Sequence, residues 1–170
     1  MTAPMRWVAG GTVLALVATL TGCSAPAPGP AMFGGDAENK VCLPIADGQQ
    51  ALVGEGIGAP VGAELSITSV KLADADGVGI GSTFLMQIID GNAFGTALMP
   101  PENPPPAWED RVDAVGATVP RGEVWNLLIV LKRGGSEPGK AHRIIVGYEV
   151  DGVAYEKMNS TAYTLQDKCF

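Results

Sequence analysis

The sequence has very few of the residues on which most catalytic and metal sites depend. His142 is the only histidine, and the three cysteines, Cys23, Cys42 and Cys169, lie far apart. A structural zinc needs four ligands, which these residues do not supply as a set. A serine nucleophile needs a base beside it, and the neighbours of His142 include no obvious partner for that role. We therefore predict no catalytic residue, no metal site and no cofactor, and a protein that is not an enzyme.

Basic residues and long apolar runs are also scarce. Eleven Lys and Arg stand against eighteen Asp and Glu, which gives a net charge of −7. Binding to nucleic acid or to anionic lipid head groups requires a basic face, and the singly scattered charges provide none. The apolar run from Trp7 to Leu20 is shorter than the roughly 20 residues of a membrane-spanning helix. The sequence thus predicts neither a nucleic-acid partner nor a spanning segment.

The apolar run has the features of a secretory signal. Arg6 supplies a positive charge before it, and small residues follow it. Its end, Leu20-Thr21-Gly22-Cys23, resembles the lipobox of bacterial lipoproteins. The resemblance implies cleavage before Cys23, a diacylglycerol on its thiol and an acyl chain, such as palmitate, on the new amino terminus. Two acyl chains hold a protein stably on a bilayer. The alternatives are an ordinary signal peptide with a chance cysteine, or an uncleaved anchor.

Three regions follow from this assignment. Residues 1–22 are the predicted signal peptide, and residues 23–40 are a lipid-anchored linker rich in Pro, Gly and Ala. Such a linker is partly extended, and at ~3 Å per residue it reaches up to about 50 Å from the membrane. Residues 41–170 have the size of a single domain. We expect this domain on the outer side of the cytoplasmic membrane or in the cell wall.

The two cysteines left after lipidation lie near the two ends of the predicted domain. An oxidising exterior permits a bond between Cys42 and Cys169. Closing so long a loop stabilises a fold by up to ~5 kcal/mol in the chain-entropy model. We predict this disulfide, with two free buried thiols as the alternative.

The apolar pattern of the domain favours strands. Residues 124–132 carry apolar side chains on both faces, which predicts a central strand with little exposed surface. We expect this strand to form a meander with 143–150 and 153–158. The alternation in 63–72 shifts its phase after Ile67, as a β-bulge allows. A short helix of at most two turns is predicted to begin at Pro106.

The dipeptide Asp151-Gly152 between two β-rich runs is typical of a two-residue hairpin turn. This register sets Tyr148 opposite Tyr155 and Val150 opposite Val153.

The number and spacing of the predicted strands indicate the fold class. Seven to nine short strands with turn residues between them favour an all-β, antiparallel sandwich. This outline resembles the immunoglobulin-like domains of small secreted and lipid-anchored proteins of actinobacteria. It departs from true immunoglobulin domains because Cys42 and Cys169 lie at the ends of the domain rather than on two inner strands.

The most distinctive segment is residues 91–111, which contains five prolines and, among its apolar residues, Phe94, Met99 and Trp108. Long loops inside compact domains are often functional, and proline-stiffened segments lose little entropy on binding. We consider these three residues as candidates for partner binding. The structural alternative is a loop that folds over an open sheet edge, with Trp108 capping the core.

Three further motifs fit known patterns only in part. Residues 54–59 match a dinucleotide-binding glycine pattern, but a strand rather than a helix follows. The Asp-rich turn before Gly77 lacks the twelfth-position glutamate of a calcium loop, where the chain has Leu85. Met86, Met99 and Met158 could in principle bind Cu(I) with His142, but with one histidine and no clustered Met pairs core packing explains the methionines better.

The sequence thus predicts a lipid-anchored envelope protein of the binding type, with a possible envelope protein as its partner. An extracytoplasmic carrier of a small molecule or metal is the alternative, and a hydrolase comes third. A carrier requires an enclosed pocket with convergent polar groups, whereas an interaction protein exposes an apolar patch.

Overall fold

The computed structural model describes residues 29–35 and 37–170. Within them the chain forms thirteen strands and one turn of 3-10 helix, Pro106–Trp108. The strands are β1 (Met32–Phe33), β2 (Asn39–Pro44), β3 (Gln50–Gly58), β4 (Leu65–Ala73), β5 (Val78–Gln87), β6 (Thr96–Leu98), β7 (Val112–Asp113), β8 (Thr118–Val119), β9 (Val124–Arg133), β10 (Gly139–Ala141), β11 (Arg143–Val150), β12 (Val153–Met158) and β13 (Thr161–Gln166). Among these residues no helix is long and apolar enough to span a bilayer.

The strands form three sheets around one main core. The first sheet has the order β1-β3-β9-β5-β7, with β6 also paired to β3; the second is β12-β11-β4-β8 and the third is β10-β13-β2. Every strand pair in the described residues is antiparallel except β2 with β13, which is parallel. Inward side chains of β9, β11 and β13 meet in the core. The predicted all-β, antiparallel sandwich is confirmed, and eight strands have six or more residues.

The strand β9 is central and buried on both faces, as its sequence predicts. It pairs with β3 on one side and β5 on the other. Leu127, Ile129 and Leu131 point into the main core, whereas Leu128 and Val130 belong to a second apolar cluster on the opposite face of the sheet. A sheet with two apolar faces needs cover on both.

The β11–β12 hairpin has the predicted turn and register. Asp151 and Gly152 both adopt positive φ, as a two-residue turn of the mirror type requires. Val150 is opposite Val153. The Tyr148 and Tyr155 rings stack with centroids 5.6 Å apart. The β-bulge is also confirmed, since the pairing of β4 with β11 slips between Gly147 and Tyr148.

The predicted meander is wrong. The strand β9 belongs to the first sheet, while β11 and β12 pair with each other and with β4 in the second. Between them the chain crosses to the opposite layer through β10, which pairs with β13. The alternation of apolar residues defines each strand but does not specify its partner, so adjacency in sequence was a poor guide. The short helix expected at Pro106 is a single 3-10 turn, Pro106–Trp108, which is within the predicted limit of two turns.

The folded domain begins earlier than the predicted boundary at residue 41. Ala31 and Phe33 are buried in the main core, and β1 extends the first sheet by pairing with the end of β3. The strand β2 begins at Asn39. Composition predicted a linker here because Pro, Gly and Ala dominate, yet two apolar side chains suffice to dock a short segment on an existing sheet. The predicted signal peptide and Cys23 lie outside the described residues.

The predicted disulfide between Cys42 and Cys169 is present, with the two Cα atoms 5.8 Å apart. It joins β2 to the segment that follows β13, so the bond reinforces the parallel pair formed by the first and last long strands.

Candidate binding surface

The loop 91–111 covers the outer face of the first sheet. Trp108 is only 7% exposed and packs with Leu128 and Val130 of β9 in the second apolar cluster. Phe94 and Met99 are partly buried against the same cluster. The structure therefore brings the three sequence-predicted binding residues together, but the Trp108 side chain faces the sheet rather than solvent. The structural alternative expected Trp108 to cap the core, and it does cap the second apolar cluster, but the loop covers a face of the sheet rather than an open edge.

Arg111 holds the end of this loop in place. Its guanidinium carbon lies 4.0 Å from the centroid of the Trp108 ring and 5.1 Å from that of Phe84. One of its terminal nitrogens also donates a hydrogen bond to the Trp108 carbonyl. Cation–π contacts of this kind stabilise by about 0.5–2 kcal/mol, more when water is excluded.

Asn126 fixes the start of the loop from beneath. This buried side chain of β9 accepts a hydrogen bond from the Phe94 N–H and donates to the Phe94 carbonyl. The Gly54 N–H donates to the Gly95 carbonyl at 2.7 Å, and a side chain on Gly54 would collide with the Phe94 backbone. In the glycine pattern at 54–59, Gly54 therefore allows the loop backbone to approach β3 closely. Asn126 could be recognised in the sequence, because it is the one polar residue in the apolar stretch of its strand.

The segment held in this way includes the exposed strand β6. Among the described strands β6 pairs with β3 alone, so its other edge is unpaired. Leu98 is 43% exposed on this strand. An unpaired strand edge presents backbone N–H and C=O groups to which an extended segment can add.

Two clefts flank β6 and share Thr96, Ala97 and Leu98. The first, of about 280 Å³, lies between β6 and the end of β2 and is lined mostly by apolar groups, including Ile45. The second, of about 390 Å³, lies between β6 and residues 101–103 and is also lined by Phe94. Both open to solvent. We call β6 and its two clefts the β6 surface.

A buried polar network lies elsewhere, inside the sandwich. The Asn159 amide nitrogen donates to a Glu55 carboxylate oxygen and to the Tyr163 hydroxyl, both at 2.8 Å. The Tyr163 hydroxyl in turn donates to the same Glu55 oxygen. Burial, reinforced by the hydrogen bond and charge of Glu55, raises the pKa of Tyr163 well above its usual range. The network links β3, β13 and the turn before β13. Its polar groups hydrogen-bond to one another, so we assign it a structural role.

This network predicts loss of stability at high pH. Below pH ~10 the Tyr163 hydroxyl is protonated in both folded and unfolded chains. Above that pH the unfolded chain ionises while the folded chain keeps the proton, so the free energy of unfolding falls by up to about 1.4 kcal/mol per pH unit for this residue. Tyr163→Phe is expected to cost about 1 kcal/mol at pH 7 and to flatten this decline.

Urea unfolding of wild type and Tyr163→Phe between pH 7 and 11 measures the difference. Burial also raises the pKa of Tyr148, so wild type and variant should both retain the part of the decline due to that residue. Identical pH profiles for the two proteins would rule out the role assigned to Tyr163.

Arg133 is a structural residue that sequence reasoning missed. Its buried guanidinium donates to the carbonyls of Ile45 at 3.1 Å and Glu137 at 3.0 Å, and it pairs with the Asp167 carboxylate. These contacts join β9, the end of β2 and the chain after β13, close to the disulfide. The only signal in sequence was a charged residue that ends an apolar strand.

The remaining sequence candidates lie apart from the β6 surface. His142 is exposed and borders an open cleft with Ser160, whose hydroxyl lies within hydrogen-bond distance of the Gly35 and Ala37 carbonyls and can donate to either. The described residues contain no group of three or more His, Cys, Asp or Glu side chains placed to hold a metal. Met86 is buried in the second cluster, while Met158 is exposed on β12.

Comparison with known proteins gives no family for this chain. No family of known proteins matches it, and no curated protein does. A solved structure of an ASH/PapD-like domain of human CEP192 is 7% identical, with a TM-score of 0.43 over 92% of this chain and 98% of that one. The Vibrio cholerae VesB protease structure is also 7% identical, with a TM-score of 0.41 over 80% of this chain and 31% of that one. Likenesses at this level assign no function.

Proposed function

We propose that this chain is a lipid-anchored protein of the bacterial cell envelope, displayed on the extracytoplasmic face, that binds an extended apolar segment of another envelope protein along β6. It acts by binding rather than by catalysis. The observation that carries the proposal is the exposed Leu98 on an unpaired strand edge, with an open cleft on each side of it.

The support beneath β6 favours binding. Asn126 and the second apolar cluster hold the strand against the sheet, so the edge needs little further ordering when a partner arrives. An added strand gains backbone hydrogen bonds at the edge, while alternate side chains enter the clefts beside it. Apolar anchors in such pockets supply most of the affinity of typical interfaces.

The shape of the clefts favours a protein segment over a small molecule. Sites for small molecules usually enclose most of the ligand surface and present several polar groups to it. The two clefts here are open, and β6 separates them. A carrier function remains the alternative. It predicts that a small molecule bound to the purified protein slows the hydrogen exchange of the β6 amides.

The anchor is the part of the proposal that mass spectrometry tests most directly. The protein extracted from membranes should begin at Cys23 and carry a diacylglycerol adduct on that residue, with a further acyl chain on its amino group where the host adds one. Cys23→Ala should abolish the adduct and move the protein from the membrane to the soluble fraction. An intact mass without lipid would refute the anchor.

A single substitution tests the β6 surface. Leu98→Asp should change the free energy of unfolding by only about 1 kcal/mol, because the side chain is already half exposed. It should weaken partner binding at least about tenfold, since a carboxylate would replace an apolar anchor. The readout is the amount of partner captured in living cells by a photocrosslinking residue at Thr96.

Val112→Asp is the matched control, because Val112 is similarly exposed but lies on β7, at the opposite side of the first sheet. Equal capture by the two variants would contradict binding at β6. If Leu98→Asp abolishes capture and Val112→Asp does not, the result supports binding at β6, and the captured protein is the partner.

A further inference from the structure

The docked N-terminal segment shortens the reach of the proposed anchor. The Ala31 backbone is held on both sides, because its N–H donates to the Tyr148 hydroxyl at 3.3 Å and its carbonyl accepts from the Lys157 ammonium at 2.8 Å. Only six Cα–Cα steps separate Cys23 from Gly29, a span of at most about 21 Å. A lipid on Cys23 therefore holds the domain against the bilayer rather than ~50 Å above it.

Contacts of this segment identify which end of the sandwich is tethered. Gly29 lies beside the rings of Tyr148 and Tyr155, next to the β11–β12 turn. The Met32 side chain lies over Gly58, where β3 ends, and so does Val124, where β9 begins. The turn at Gly122 lies against Val61 in the loop that follows β3. We call this end of the molecule the tethered end.

Exposed apolar side chains gather at the tethered end. Val61 is 88% exposed and Met32 is 58% exposed, and Val124 and Val153 are exposed at the same end. These four come from different parts of the chain, namely β1, the β3–β4 loop, β9 and β12. Contiguous exposed apolar residues mark surfaces that contact another phase or protein.

We propose that the tethered end rests on the lipid surface, with Met32, Val61, Val124 and Val153 in contact with the head-group region of the bilayer. This inference rests on the lipid anchor of the proposed function. The length of chain between Cys23 and Gly29, and the end at which that chain joins the domain, argue for a bilayer as the occupant rather than a protein.

The charged residues around the tethered end favour an apolar contact with the bilayer over an electrostatic one. Arg121 is accompanied there by Glu64, Glu123 and Asp151, so anionic head groups gain little attraction. The contact should therefore depend weakly on salt. The β6 surface lies at the other end of β3, since Leu98 pairs with Ala51 whereas Met32 pairs with Gly58. Seven residues of strand place these pairs about 23 Å apart, which turns β6 away from the membrane.

The experiment uses the full lipidated protein in vesicles of phosphatidylcholine and phosphatidylglycerol. A photocrosslinking residue replaces Val61 in one protein and Thr96 in another, and mass spectrometry measures covalently attached lipid. We expect lipid at position 61 and several-fold less at position 96. Inserting about 20 Gly and Ser residues between Cys23 and Gly29 should lower the yield at position 61 about ninefold, as the effective concentration falls with the −3/2 power of tether length.

The possible results separate this inference from the anchor. An intact mass without lipid on Cys23 would overturn both. The inference alone would be overturned if the lipidated protein attached equal amounts of lipid at positions 61 and 96. It would also be overturned if the crosslinking yield at position 61 did not change with tether length. Capture of a second protein instead of lipid by position 61, in intact cells, would show that a protein interface occupies the tethered end.

Discussion

Replacing both Cys42 and Cys169 with alanine is expected to lower the free energy of unfolding by about 5 kcal/mol. The bond closes a loop with a sequence separation of 127, and the chain-entropy model assigns a large penalty to the unfolded chain for so long a loop. Domains of this size are commonly stable by only about 5–15 kcal/mol. The reduced domain should therefore be marginally folded at 37 °C.

Urea unfolding of the double variant against its parent measures this effect, with Cys23→Ser in both proteins so that no unpaired thiol reacts. The slope of the transition should also rise, because an unfolded chain without the bond exposes more surface. Reduction of the parent with a thiol should reproduce the shift. A difference below about 1 kcal/mol would contradict the chain-entropy estimate and would mean that the unfolded chain without the bond retains structure of its own.

Trp108→Ala is expected to cost about 3–5 kcal/mol, the range for removal of a large buried aromatic side chain. The substitution opens a cavity over Leu128 and Val130 and takes away the ring on which Arg111 stacks. The main core lies on the other face of the sheet, so the loop 91–111 should lose order before the rest of the domain does.

Hydrogen exchange and urea unfolding together check this outcome. Amides in the loop should exchange faster in Trp108→Ala, whereas Trp108→Phe should recover part of the lost stability. Val112→Ala, on an exposed side chain, serves as the control and should change little. A loss below about 1 kcal/mol would mean that the loop does not need Trp108 to cover the sheet.

Trp108→Ala should also reduce partner capture, but for a different reason than Leu98→Asp. Loss of the second apolar cluster removes the support beneath Phe94 and therefore loosens β6. The two variants differ in stability, since only Trp108→Ala should unfold at much lower urea concentration. This contrast separates a residue that holds the β6 surface from one that contacts the partner.

Local features of the fold followed directly from the sequence. The buried β9, the Asp151-Gly152 turn and the bulge in β4 depend on side-chain alternation and turn chemistry within a few residues. Strand partners did not follow, because β9 satisfies its pattern equally well beside β3 or beside β11. The parallel pairing of β2 with β13 joins distant segments, and no local pattern encodes it.

The candidate site was predictable in its members but not in its orientation. Phe94, Met99 and Trp108 were notable as apolar residues in a polar, proline-rich loop, and they do gather in one place. The direction in which these side chains point depends on the outer face of β9, because the apolar side chains of Leu128 and Val130 there must be shielded from water. Leu98 escaped notice because a single leucine among small residues has no distinctive pattern until a neighbouring strand leaves its edge open.

The domain boundary was misplaced for a related reason. Gly and Pro content predicts an extended segment correctly, and an extended segment is also what an existing sheet can accept as an extra strand. Phe33 of that added strand is then buried in the main core.

The parallel pairing of β2 with β13 has a consequence for biogenesis. More than a hundred residues separate β2 from β13, so a chain that emerges amino end first holds β2 without its partner until β13 has been synthesised. Long-range pairings of this kind form slowly. The β10-β13-β2 sheet and the bond between Cys42 and Cys169 can therefore close only after β13 and Cys169 have been synthesised.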